Sequence, residues 1–255
     1  MKLNKLLAIV VLSLGLYSCS CEDVNLGKLE QTGELTSFLP AQGKSYFIKY
    51  GDVKLPLSYY VPAYSSAMMI PVAKTGKTQT TGKGGSSACI EYYAAEEKEY
   101  PGYIEGQCPF YLNQKYTKDV NQYAFNDIKD KEQVADVIEF IVGFNNKFPK
   151  TVTRGMGNYD NFMPYRVFTL AKNPEKLLYK RSDITQEFLP TITLNGVQHQ
   201  NVYHLYLNSP QYTEDEKYFK QYYPLDYPQG IYVKEGIGIV QAYTADGKQI
   251  DITIE

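Results

Sequence analysis

Asn195-Gly196 stands between two segments of strand-like character, residues 190–194 and 197–207. An Asn-Gly pair accepts the left-handed backbone conformation at both central positions of a two-residue turn, where most side chains clash with their own backbone. The pair therefore demands an antiparallel hairpin over 190–207, and the rest of the chain has to be compatible with one. Similar punctuation recurs downstream. Ala245-Asp246-Gly247 separates 237–243 from 248–254. In the latter run Ile250, Ile252 and Ile254 alternate with Gln249, Asp251 and Thr253, so one face meets a core and the other meets water. Residues 230–233 supply a further strand.

Upstream, Lys172-Asn173-Pro174-Glu175 marks a turn between 163–171 and 177–181. A first β signal covers 35–39 and 45–50, Gly51-Asp52 breaks it before 53–61, and the portion reads as an antiparallel hairpin in which Pro56 suits an edge strand or a bulge. The 25 tyrosines and 11 phenylalanines, with no tryptophan, fit a pleated and half-buried surface. One helix is predicted over 130–144. Asp130 can cap it with Gln133 three residues on, and Val134, Val137, Ile138, Ile141 and Val142 recur at helical spacing beside Phe140 and Phe144. Asn145-Asn146 and Pro149 end it, and a further helical turn is expected around 214–219. The expected fold is mostly β, within the α+β class: a curved antiparallel sheet or open half-barrel with one main helix packed on it.

The N-terminus sets location. Lys2 and Lys5 precede an apolar run over 6–16 that is too short for a bilayer span of about 20 residues, which is the pattern of an export signal. At its end Leu16, Ser18 and Cys19 resemble the bacterial lipobox, whose cysteine is acylated and becomes the new N-terminus. The other reading is a secreted protein cut near Ser18 or Ser20. Lipidation of Cys19 is the expectation, because the cysteine sits where the apolar run stops, and two or more acyl chains hold a protein stably on a membrane. The expected organisation is a signal peptide over 1–18, a polar tether over 19–34 and a single β-rich domain over 35–255. Ser20-Cys21-Glu22-Asp23 resembles the short acidic signals of surface-displayed lipoproteins of Bacteroidota. Cell surface and periplasmic face of the outer membrane both stay open.

Three further motifs carry a family resemblance: Phe38-Leu39-Pro40-x-x-Gly43 before an aromatic strand; Thr193-Leu194-Asn195-Gly196-Val197 with Asn201-Val202-Tyr203; and Gly230-Ile231-Tyr232-Val233-x-x-Gly236-Ile237-Gly238-Ile239-Val240. Together they resemble cell-envelope lipoproteins of Bacteroidota. The resemblance implies a curled antiparallel sheet that partly wraps a helix or loop, and it supplies no catalytic residues.

Loss of Lys2 and Lys5 with the signal leaves 24 basic against 28 acidic groups. That balance disfavours nucleic acid, whose binding is driven by clustered Lys and Arg. Cys89 and Cys108 are the pair that an oxidising envelope can join, with two reduced, buried thiols as the alternative. No C-x-x-C pair suggests zinc, and no cofactor is expected. His199 and His204 are five residues apart on one strand, so they point to opposite faces. Ser86-Ser87 lacks a nucleophile-elbow context. Gly76-Lys77-Thr78 lacks the earlier glycine of a phosphate loop, Pro71 standing in its place, and 73–87 reads as a lysine-bearing surface loop. Residues 89–103 read as a solvated acidic face, with Glu91, Glu96, Glu97 and Glu99 against Lys98. The loop over 151–162, with Arg154 and Asp160, is the preferred place for a binding site. Two functions follow. The first is a non-enzymatic lipoprotein that binds a protein or glycan ligand, or is structural, at the outer membrane. The second is a carboxylate-dependent glycan hydrolase, which needs two carboxylates about 5–10 Å apart in a tyrosine-lined cleft.

Overall fold

Tyr46, Ile48 and Tyr50 alternate with Phe47 and Lys49, and Gly51, at φ 58°, turns the chain back so that Tyr46 faces Leu57 and Ile48 faces Leu55. Hairpins of this kind build nearly the whole molecule. The computed structural model describes residues 22–61, 63–75, 89–106, 108, 110–144, 152–154, 157–159, 165–179, 183–208 and 226–255. Its strands are β1 (Val24–Leu29), β2 (Tyr46–Tyr50), β3 (Val53–Tyr59), β4 (Tyr64–Thr75), β5 (Cys89–Ile104), β6 (Tyr111–Lys118), β7 (Asp136–Gly143), β8 (Val152–Arg154), β9 (Gly157–Tyr159), β10 (Tyr165–Ala171), β11 (Ile184–Leu194), β12 (Val197–Leu207), β13 (Pro228–Lys234), β14 (Gly238–Thr244) and β15 (Gln249–Ile254).

Thirteen of them form one sheet whose main path runs β10-β7-β6-β5-β3-β2-β15-β14-β13-β12-β11. β4 and β1 lie on the two sides of the N-terminal half of β5. β8 and β9 pair separately. Every pairing is antiparallel except that of β1 with β5. The sheet curls until β10, at one end of the path, meets β12 and β13 near the other, so the barrel is nearly closed. Gln186 of β11 bridges the remaining seam. Its side-chain oxygen accepts from the Ala171 N–H at 3.1 Å and its amide donates to the Ala171 carbonyl at 2.8 Å, in place of a strand partner. Gln186→Leu keeps the side chain's volume and leaves both backbone groups of the fully buried Ala171 without those bonds. The expected cost is about 2 kcal/mol, read as a lower urea midpoint with an unchanged slope.

The barrel interior is filled from all sides. Ile48, Phe140, Phe168, Leu205, Ile231 and Ile252 belong to one buried cluster, and a one-turn 3-10 helix, Thr36–Phe38, inserts Phe38 edge-on against Tyr203 at 5.6 Å. A second, smaller core lies under the β1–β5–β4 wing, where Leu29, Ile70, Ala95 and Val134 meet.

Several expectations need correcting. Residues 130–144 do not form a helix: Lys131–Gln133 is a single 3-10 turn and Asp136–Gly143 is strand β7. The cap signal is real, since the Asp130 carboxylate accepts from the Glu132 N–H and from the Gln133 side chain, but it caps one turn only. The apolar run after it is dominated by β-branched residues and is buried on both faces, so its helical spacing came from a nearly continuous apolar stretch. Among the described residues the only helical segments are three 3-10 turns, the third being Pro174–Lys176 at the turn expected over 172–175; residues 177–179, expected to begin a strand, are not in one. Within the presumed tether, Val24–Leu29 is a strand of the sheet. Residues 35–39 hold a turn, not a strand. Pro56 lies between two neighbouring strands; the ladder of β3 with β5 begins only at Leu57, so the missing N–H of Pro56 removes no rung. The signal peptide, Cys19, residues 76–88 and the turn expected at 214–219 lie outside the described residues.

Candidate functional site

The outer face of the sheet at β5, β6, β7 and β10 carries a polar row that register creates. Glu99 pairs with Lys115, Lys115 with Glu139, and Glu139 with Thr169, so four polar side chains share one rung across four strands. Thr117 stands two residues along β6 on the same face. Lys115 Nζ lies 3.1 Å from Glu97 and 3.9 Å from Glu99. Burial alone would lower the pKa of this ammonium, and the hydrogen bond and charge of Glu97, with Glu99 and Glu139 behind, outweigh it and raise the value. Lys115 is therefore cationic at neutral pH.

A cleft of about 460 Å³ lies over this row, with Glu97, Lys115, Thr117, Glu139 and Thr169 in its lining. Its walls come from residues 119–123 and from Tyr179, and both are held firmly. The Asp119 carboxylate accepts from the N–H groups of Leu178 and Tyr179. The buried Asn126 side chain donates to the carbonyls of Pro71, Asn121 and Ala124, and its oxygen accepts from the Asn121 N–H and the Tyr179 hydroxyl. Tyr123 stands at the rim, 88% exposed. Such support keeps first-contact side chains in place before a ligand arrives.

Among the described residues, two hydroxyls on this face lack partners. The side-chain oxygens of Thr117 and Thr169 are buried and make no hydrogen bond to any described residue, beside a cleft that these threonines help to line. A buried polar atom left unsatisfied costs about 1–3 kcal/mol.

The imidazole the sequence singled out belongs elsewhere. His204 of β12 stacks on Tyr206 at 4.4 Å and on Tyr232 at 4.2 Å, and its Nε2 shares a 2.8 Å hydrogen bond with the Tyr243 hydroxyl. Gly230 is required beneath them, since a Cβ there would lie 2.5 Å from the Tyr243 hydroxyl oxygen. Burial lowers the His204 pKa to about 4. Tyr243 is pushed above the usual phenol range, by burial first and then by Tyr232 and Tyr206, so its hydroxyl remains protonated and is a poor nucleophile. His199 pairs with Ile192, five residues up the same strand.

Cys89 opens β5, and burial raises the pKa of the buried Cys108. Within the loop preferred by sequence, 152–154 pairs with 157–159, and the rest of 151–162 lies outside the described residues. Sequence reasoning passed over Thr117 and Thr169 altogether. Their alignment with Lys115 and Glu139 depends on strand register, and the only local hint was the alternation of Tyr111, Asn113, Lys115 and Thr117 along β6. Comparison of the chain with family models, with curated proteins and with solved structures finds no match in any of the three.

Proposed function

We propose that this protein is a non-enzymatic lipoprotein, anchored in the outer membrane by a lipid on Cys19, that binds a hydroxyl-rich ligand of the saccharide class in the cleft over Lys115 and Glu139. The observation that carries the ligand class is the pair of buried, unpartnered hydroxyls of Thr117 and Thr169 beside an ion-paired carboxylate, in a cleft with pinned walls. Sugar hydroxyls both donate and accept. They can give hydrogen bonds to Glu97 and Glu139 and exchange them with the threonines, and the tyrosines at the wall and rim offer ring faces. The cleft volume accommodates one or two sugar rings. The export signal and the lipobox support the anchor, and the acidic residues after Cys19 suit either face of the outer membrane. The bulk charge offers nothing to nucleic acid.

The hydrolase reading stands second, because Glu97 and Glu139 line the same tyrosine-flanked cleft. A microarray of envelope and dietary polysaccharides, followed by titration calorimetry and assay of reducing ends, tests both. Binding without release of reducing ends is expected. Thr117→Val is expected to weaken binding about tenfold, the equivalent of one hydrogen bond at 1.4 kcal/mol. Because it removes an unpaired buried hydroxyl at constant shape, stability should hold or rise. Binding unaffected by this variant would displace the cleft as the site, and release of reducing ends lost in Glu139→Gln would establish the hydrolase.

A further inference from the structure

Tyr60 and Tyr64 stack face to face, with ring centroids 4.0 Å apart and planes within 2° of parallel, while 49% and 53% of their surfaces stay open to solvent. We propose that this pair is a second saccharide subsite, continuous with the cleft, and that the ligand is an oligosaccharide chain that runs from the cleft along β4 to these rings. The inference deepens the saccharide reading of the cleft and rests on it, but the observations that carry it are separate.

Register puts the pair on the cleft's own face by two routes. Across the strands, Tyr64 lies opposite Glu99, which extends the rung of Glu99, Lys115, Glu139 and Thr169 by one more strand. Directly opposed residues share a face of the sheet, and neighbouring strands lie about 4.8 Å apart, so Tyr64 stands about 10 Å from Lys115 along the rung. Along β4, Met68 lines the cleft, and Ser66 and Tyr64 follow on the same face at intervals of two. From Met68 to Tyr64 is four residues, about 14 Å of extended strand. Between them the small, exposed Ser66, opposite Glu97, keeps the path low. Tyr60 is placed by its N–H, which donates to the carbonyl of Pro101, two residues beyond Glu99 on β5, at 3.1 Å.

The two ends of this track suit different parts of a sugar. A pyranose carries C–H groups on its faces and hydroxyls around its edge. Over the cleft, Glu97 and the two threonines meet hydroxyls. At the far end, a tyrosine offers an apolar ring with a polar tip, and it has only two side-chain torsions to fix when a ligand lands. The Ser66 hydroxyl and the Glu99 carboxylate stand in between and accept from the hydroxyls of the sugar that bridges the two ends. One chain that engages both subsites holds its second end at a high effective concentration, so affinity rises with chain length until both are filled.

The test is titration of the full-length protein with ladders of gluco-, galacto-, manno- and xylo-oligosaccharides, from disaccharides to octasaccharides. Tighter binding of the longer members of at least one ladder is expected. The double variant Tyr60→Ala with Tyr64→Ala should lose about tenfold on those longer members, the scale of one aromatic contact, and nothing on the disaccharide. Thr117→Val should weaken every length. Both tyrosines are exposed, so the urea midpoint of the double variant should match the parent, and Tyr64→Phe, which keeps the stacked ring, should bind as the parent does. Affinity in the parent that does not rise with length, or a double variant that binds every length as the parent does, would overturn the subsite while a Thr117→Val effect left the cleft standing. Loss in the double variant with no effect of Thr117→Val would sink the cleft reading and leave the tyrosines as a site of their own. A parent chain that binds no member of any ladder would overturn both.

Discussion

Asp136→Asn should destabilise the protein by about 3–5 kcal/mol, the usual cost of removing one partner from a buried ion pair. Asp136 and Lys118 are both almost wholly buried, with side-chain exposures of 2% and 3%, and their charged atoms lie 2.8 Å apart. The ammonium also donates to the Val134 carbonyl at 3.0 Å. The second oxygen of Asp136 accepts from the Tyr116 hydroxyl, from the Thr32 N–H and hydroxyl at 2.7 and 2.8 Å, and from the Gly33 N–H at 3.2 Å. Burial alone would raise the Asp136 pKa; the hydrogen bonds from Lys118, Tyr116 and Thr32 outweigh it and lower the value below the ordinary 3.8. Its contribution to stability is therefore present above pH 3.8 and is lost as pH falls through the lower folded value.

Asparagine keeps the shape but places an N–H₂ group against donors and leaves the Lys118 ammonium without its counter-charge. Because Thr32 and Gly33 hold the chain that leads to the Phe38 plug, the variant should also become sensitive to trypsin at Lys28 and Lys44. A cost below 1 kcal/mol in urea unfolding would show that the network is dispensable. The double variant Asp136→Leu with Lys118→Met should recover the part of the loss that comes from the unpaired ammonium, since it removes both charges together.

This network also shows what could and could not be read from the chain. The Asn195-Gly196 hairpin was legible because the turn chemistry is local: Asn195 and Gly196 have φ 46° and 81°, and β11 and β12 pair from Leu194 opposite Val197 outward. The same holds for β13, β14 and β15, whose turns and alternation lie within a few residues of each other. Strand β7 was misread because both of its faces are buried, which erases the period of two and leaves only a run of apolar residues. Strand β5 was read as a solvated acidic face for the opposite reason: most of its side chains are half-buried, and its charges and tyrosines come in clusters, with only small apolar residues such as Ala95 between them to mark the buried face. Thr32 and Gly33 looked like tether, and only Asp136, 104 and 103 residues away, makes them structural. The candidate cleft is of the same kind. Its row of Glu99, Lys115, Glu139 and Thr169 comes from four strands, and their adjacency is a product of register.

The second large effect is a loss of stability between pH 6.5 and 4 that resides in His204. Burial among Tyr206, Tyr232 and Tyr243 brings its pKa from 6.5 to about 4, and the imidazole side chain is 14% exposed. A group whose folded value lies below its unfolded value binds fewer protons when folded, so its contribution is complete above pH 6.5 and is lost as pH falls towards 4. At 1.36 kcal/mol per pH unit the full difference is about 3 kcal/mol. The nearest charge, the Glu187 carboxylate at 3.9 Å from Nδ1, is 52% exposed and too well hydrated to hold the imidazolium in place. The phenols contribute no charge in this range, since burial holds Tyr232 and Tyr243 above the ordinary value of 10. His199 is also lowered, by burial first and then by Lys234, and His199→Gln serves as the control for its part. Urea unfolding at a series of pH values should show the decline in the parent chain and in His199→Gln. His204→Phe, which keeps a stacked ring and removes the titration, should flatten most of it. A decline of equal size in His204→Phe would place the titration on other groups. Asp136 does not confuse the measurement, because its own loss begins only below pH 3.8.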